Sequence, residues 1–156
     1  MFKHILVPTD GTPLSQDTSH AAVALAKALG ARITAYHAKS QIASTTFSAA
    51  IFDGDLVDEA TRAQFEKAAE ASARSSLDFV ERSCGEAGVP CETMTTPTDT
   101  PAEAILEAAS QCGADLIFMA SHGRKGFKSQ LIGSETQKVL THSKIPVLVY
   151  RWGDVA

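Results

Sequence analysis

The feature that most constrains this chain is its alternation of short apolar runs with segments of helical periodicity. Residues 3–9 (KHILVPT) predict a first strand, because Ile5, Leu6 and Val7 form the continuous apolar run of a strand covered on both faces. A turn-rich DGTPLS follows. In SQDTSHAAVALAKALG, Ala21, Ala22, Leu25 and Leu29 then recur at helical spacing, and Gly30 supplies a stop. Residues 31–38 (ARITAYHA) predict a second strand, rich in β-branched and aromatic side chains. Residues 39–54, rich in Ser, Thr and Ala, read as a long loop of the kind that often covers a site.

Residues 56–87 predict one long helix on a stripe of Phe65, Ala69, Ala73, Leu77, Val80 and Cys84, ended by Gly85 and Gly88. Residues 91–96 (CETMTT) predict a third strand, polar enough for a sheet edge. Thr100, Pro101, Ala102 and Glu103 have the pattern of a capping box with proline at the first helical position. That helix runs through Ile105, Ala108 and Ala109 to Gly113. Residues 114–120 (ADLIFMA) predict a strongly apolar, central fourth strand. Ser134, Glu135, Thr136 and Gln137 form a second capping-box pattern, opening a helix that carries Val139 and Leu140. Residues 144–151 (KIPVLVYR) predict the fifth strand. A β-α-β-α-β-α-β-α-β order implies right-handed crossovers and an open parallel sheet with helices on both faces.

Composition excludes several function classes. A chain of 156 residues suits one domain, residues 1–156, with a sizeable core. With 44% hydrophobic and 21% charged residues it fits a soluble globular protein. A net charge of −4 gives no reason to expect nucleic-acid binding, so any cationic site is local. The cysteines, Cys84, Cys91 and Cys112, are odd in number and show no CxxC, which argues against a disulfide framework or zinc and for the cytoplasm. No signal peptide or membrane span is visible. His4, His20, His37 and His142 lack metal-ligand spacing.

In an open α/β sheet, ligands bind beyond the carboxyl ends of the strands, where the winding reverses. Two such ends carry polar, flexible sequence: Pro8-Thr9-Asp10-Gly11-Thr12 after the first strand, and Ser121-His122-Gly123-Arg124-Lys125-Gly126 after the fourth. The second leads to Gly133-Ser134 at a helix N-terminus, whose free N–H groups and dipole suit an anion. Gly133 permits close approach, Ser134 and Thr136 add hydroxyls, and Arg124, Lys125 and Lys128 add positive charge. This reads as a phosphate-binding loop, with a nucleotide as owner of the phosphates. Asp10 is a candidate for Mg²⁺ borne by that nucleotide, or else a turn residue. His122 shapes the site, with no partner set for catalysis. Glu135 suits the positive helix end and reaches a phosphate through its backbone N–H alone.

The chain resembles the universal stress proteins over essentially its whole length. The resemblance rests on HILVPTDGT, DLIFMASHGR and KIPVLVYR. It rests also on Gly123, nine residues, then Gly133-Ser134, which follow the family's glycine motif except that Ala120 stands at the first glycine position. The resemblance implies a Rossmann-like sheet, similar to adenine nucleotide alpha hydrolases, of order 3-2-1-4-5. It implies that Pro8, Thr9 and Asp10 border adenine and ribose, that the Ala38 backbone meets the base, and that Met119 and Ala120 lie beside the nucleoside. Gly123, Gly133, Ser134, Glu135 and Thr136 would line the phosphates, with His122 and Arg124 counted among the nucleotide-binding residues beside them.

It further implies a homodimer through the edge strand, residues 145–151, and a cytoplasmic stress-response switch or sensor. That protein would bind ATP, ADP or AMP, with or without Mg, and hydrolyse ATP slowly if at all. The alternative of another class is a nucleotide-free dimeric interaction protein, for which Ala120 is the support. A flavodoxin-like carrier lacks aromatics to sandwich a flavin, since the single tryptophan is Trp152. A receiver domain lacks an aspartate at the end of the third strand, and no GxxxxGK[ST] P-loop occurs.

Overall fold

The computed structural model describes residues 1–40, 59–122 and 132–151. Strands β1 (His4–Pro8), β2 (Arg32–Ser40), β3 (Cys91–Thr98), β4 (Leu116–Ala120) and β5 (Val147–Tyr150) alternate with helices α1 (Pro13–Leu29), α2 (Glu59–Ala87), α3 (Pro101–Cys112) and α4 (Ser134–His142). The strands form one parallel sheet of order β3-β2-β1-β4-β5. Winding runs outward from β1 to β3 and restarts at β4, so the reversal falls between β1 and β4, which pair at Ile5–Leu116 and Leu6–Ile117.

Each sheet face carries its own core. Ile5, Val7, Ile33 and Phe118 meet Ala22, Val23 and Ala26 of α1 and Leu77, Val80 and Cys84 of α2. On the other face Leu6, Tyr36, Ile117 and Met119 meet Ala102, Ile105, Ala108 and Ala109 of α3 and Val139 of α4. The five residues of β4 are all buried, as the apolar run predicts for a central strand. At the edges β3 and β5 alternate in exposure. β3 extends beyond the expected residues 91–96 and takes in Pro97, which an edge strand tolerates.

Several local expectations are corrected. The stripe along α2 is buried only in its C-terminal half: Ala73, Leu77, Val80 and Cys84 are covered while Phe65 is 58% exposed. Gly85 lies within α2, and Gly88, at φ +73°, follows its end. Neither capping box forms. Thr100 makes no side-chain cap; Ala102 N–H of α3 instead donates to Glu135 Oε2 of α4 at 2.9 Å. The N-cap of α4 is Gly133, with Ser134 as its first helical residue, and the Gln137 side chain donates to Ile132 O at 3.1 Å. Residues 41–58 of the expected loop lie outside the described residues, while Lys39 and Ser40 extend β2.

Glu135 thus ties two helices together. Its Oε1 also pairs with Lys138 Nζ at 2.8 Å. The hydrogen bond from Lys138, opposed by burial and helped by the Ala102 N–H, holds its carboxyl below the usual value. A depressed carboxylate stabilises the fold above its unfolded-state value, and that contribution fades as pH falls through the folded value. Glu135→Ala is expected to cost about 1 kcal/mol at neutral pH, as for a lost N-cap. In urea unfolding, its gap from the parent is expected to narrow below about pH 4.

Candidate functional site

The first side of the site is built at the end of β1. Thr9 N–H donates to Tyr36 O at 2.8 Å, and the His37 Nδ1–H donates to Thr9 O at 2.9 Å, so the ends of β1 and β2 are locked together. Thr9 Oγ1 lies 3.2 Å from Ser15 Oγ, both buried. Asp10 folds back on its own turn: its Oδ1 accepts from Thr12 N–H at 3.0 Å and from Thr12 Oγ1–H at 2.6 Å. Thr12 in turn caps α1 by accepting from Ser15 N–H, with Pro13 at the first helical position. Gly11 at φ +76° completes the turn.

The second side is built between β4 and α4. Ser121 N–H donates to Tyr150 O at 2.9 Å, continuing the sheet past Ala120. Ser121 O then accepts from Gly133 N–H at 2.8 Å, and Ala120 O from Thr136 Oγ1–H at 3.1 Å. Two bonds therefore fix the start of α4 to the end of β4. A Cβ on Gly133 would lie 3.3 Å from Ser121 O and 3.5 Å from His122 Cα. Its φ of −62° is ordinary, so what glycine offers here is close packing rather than an unusual backbone. Ser121 Oγ and His122 Nδ1 are 3.0 Å apart, which sets the orientation of a ring only 9% exposed.

Several anticipated residues therefore meet at the reversal between β1 and β4. Pro8, Thr9 and Asp10 end β1, Ala38 lies near the end of β2, and Met119, Ala120 and His122 end β4 beside Gly133, Ser134, Glu135 and Thr136. Within this set the Thr136 hydroxyl and the Glu135 carboxylate are engaged in fixing α4. The first intrahelical bond of the turn is Gln137 N–H to Gly133 O at 2.9 Å. The N–H groups of Ser134, Glu135 and Thr136 thus precede the helical ladder. Ala120 has no positive φ, so its methyl imposes no backbone strain on β4.

Gly123, Arg124, Lys125 and Lys128 lie outside the described residues. Ser15 and His37 were missed in the sequence, and Ser121 was read only as part of the loop, without its bonds. Their signal was position alone, each standing within a few residues of a strand end that was read correctly. A cavity of about 260 Å³ opens beside the β1–α1 turn, lined by Asp10, Thr12, Gln16 and the α2 hydroxyls of Ser72, Ser75 and Ser76. Its lining includes nothing from β4 or α4.

Comparison with known proteins gives the same frame. The family model described as the universal stress protein family matches residues 1–151. A universal stress protein of Thermus aquaticus, named for the QAH/OAS sulfhydrylase 3' region, is 32% identical over 151 residues, covering 97% of this chain and all of its own. In structure, the hypothetical protein MJ0577 of Methanocaldococcus jannaschii superposes with a TM-score of 0.79 at 22% identity over 99% of both chains. A universal stress protein solved in complex with cAMP gives 0.64 at 21% identity, over 96% of this chain and 97% of its own. From the family match and the full-length relative, the chain belongs to the universal stress protein family.

Proposed function

We propose that this chain binds ATP or a related adenine nucleotide across the reversal between β1 and β4, and acts as a stress-responsive switch or sensor. The observation that carries the reading is the start of α4. Three N–H groups precede its hydrogen-bonded ladder, Gly133 has no side chain to cap them, and two bonds hold them against the end of β4. Oriented N–H groups at a helix N-terminus are a phosphate site in waiting. Family membership, and a fold neighbour solved with cAMP, support an adenine ligand.

In this reading Pro8, Thr9 and Asp10 border base and ribose, the Ala38 backbone meets the base, and Met119 floors the pocket. Asp10 is the residue that would hold nucleotide-borne Mg²⁺, whose charge would offset that of the phosphates. Gly123 and Arg124 join the phosphate side on the strength of the sequence motif. No residue is assigned a catalytic role, so hydrolysis is slow or absent. Calorimetric titration of nucleotide-stripped protein with Mg-ATP, ADP, cAMP and GTP tests the reading. Saturable binding of adenine but not guanine nucleotides supports it. No binding up to millimolar ATP sinks it and favours a nucleotide-free interaction protein.

The protein works in the cytoplasm as a homodimer in this reading. Among the described residues no helix is long and apolar enough to cross a membrane. The edge strand β5 presents Leu148 at 38% exposure, and a second copy paired through residues 145–151 would cover it. Leu148→Lys is expected to shift the species seen by light scattering from dimer to monomer, since an unpaired buried charge opposes association.

A further inference from the structure

The end of β2 overhangs β1. Pairing between the two strands stops at Pro8–Tyr36, while β2 continues from His37 to Ser40 paired with β3. Successive peptides of a strand face opposite neighbours. Ile33 N–H points to the β3 side, where it meets Pro90 O at 2.9 Å, and Tyr36 O points to the β1 side, where it accepts Thr9 N–H at 2.8 Å. By that alternation the N–H and C=O of Ala38 face the β1 side, just past the point where β1 ends. The chain after Thr9 leaves the sheet through the Asp10–Thr12 turn. Among the described residues no bond joins the Ala38 N–H or C=O to β1.

In a continued ladder the next rung would join Ala38 N–H to Thr9 O. The ring of His37 takes that carbonyl instead, donating from Nδ1 at 2.9 Å in a buried bond. A carbonyl only accepts, so Nδ1 carries the proton. The backbone of His37 is held from the other side, where Thr95 Oγ1–H donates to His37 O at 2.9 Å. One residue thus ties the ends of β1, β2 and β3 and satisfies Thr9 O without drawing on Ala38. What is left is a backbone donor and acceptor side by side at the strand end. That pair complements the edge of adenine, where N1 accepts and the 6-amino group donates. Guanine presents the reverse, an N1–H donor beside the O6 acceptor.

We propose that His37 is a positioning residue for adenine: by satisfying Thr9 O it keeps the Ala38 peptide open to the edge of the base. The proposal rests on the nucleotide reading above and adds to it the side chain that sets base selectivity. Without the ring N–H, Thr9 O is a buried carbonyl lacking its donor, a costly state. Closing the next rung onto Ala38 N–H relieves it and withdraws that donor from the base. His37 acts through Thr9 and Ala38 rather than by contact with the ligand.

The experiment titrates nucleotide-stripped parent, His37→Phe and His37→Asn with Mg-ATP, and with Mg-GTP in competition, and records each melting temperature. Phenylalanine keeps a ring and loses the donor, whereas asparagine places an amide N–H close to the position of Nδ1. His37→Phe is expected to weaken ATP binding about tenfold and to shrink the preference for ATP over GTP by a similar factor. His37→Asn is expected to stay within about threefold of the parent. A purely structural His37 would lower the melting temperature and weaken both nucleotides in proportion. Such a proportional loss, an unchanged ATP affinity in His37→Phe, or no rescue by His37→Asn overturns the role of His37 and leaves the nucleotide reading standing. A parent that binds no ATP overturns both.

Discussion

Gly11→Ala is expected to lower the stability of the fold by about 2–4 kcal/mol, the sum of backbone strain and a steric clash. At φ +76° the turn after β1 occupies the left-handed region, where a methyl is disfavoured. The added Cβ would also stand 2.5 Å from Ser76 Oγ, inside any permitted contact. Ser76 is buried, and its hydroxyl donates to Ser72 O at 2.9 Å, so it cannot turn aside without losing that bond. In denaturant unfolding the midpoint is expected to fall with the slope unchanged. The double variant Gly11→Ala with Ser76→Ala separates the two terms. With the hydroxyl gone the nearest atom is Ser76 Cβ at 3.6 Å, an ordinary contact, and roughly half of the loss is expected to return. A midpoint equal to the parent's for Gly11→Ala alone would show that the turn relaxes and that α2 does not clamp it.

Ser134→Pro is expected to weaken Mg-ATP binding by about tenfold to a hundredfold while leaving the melting temperature unchanged. Proline is welcome at the first position of a helix, because the N–H it removes has no intrahelical partner. The preceding residue must be extended, and Gly133 already is, at φ −62° and ψ 152°. The substitution therefore deletes two proposed phosphate donors, the Ser134 N–H and its hydroxyl, and little else. By contrast, a bulky residue at Gly133 would collide with Ser121 and His122, so any affinity lost there would be confounded with damage to the fold. Unchanged affinity at unchanged stability would remove the α4 N-terminus from the phosphate site.

Both core faces were legible because apolar runs and helical stripes report burial directly, whereas the strand order came from the family resemblance. Ile5, Leu6 and Val7 are all buried, and so are Ala73, Leu77, Val80 and Cys84. Helix starts were less legible. Thr100 and Ser134 carry the right residue types for capping boxes, but those patterns describe a helix alone. Here the Glu135 carboxylate reaches across from α4 to take the Ala102 N–H. A contact between residues 33 positions apart leaves no local trace. Phe65 shows the complementary failure: a stripe marks which face of a helix is apolar, but not how much of that face the fold covers. At the candidate site the backbone framework followed from strand ends and glycines. The bonds of His37 and Thr136 to main-chain carbonyls, and of the Ser121 hydroxyl to His122 Nδ1, did not, since any hydroxyl or imidazole could have made them.

The Gly133–Ser121 bond has a consequence for divergence. Ser121 O and Gly133 N–H, on either side of the stretch 122–132, are bonded at 2.8 Å, so the two ends of that stretch are held together. Closing that excursion costs an entropy that grows only slowly with its length, by about 0.6 kcal/mol per doubling. The span can therefore lengthen, shorten or change its charge with little effect on the sheet or on α4. On the proposed function, exchanging the stretch between Ser121 and Gly133 for a relative's is expected to change ligand preference and leave the melting temperature unchanged.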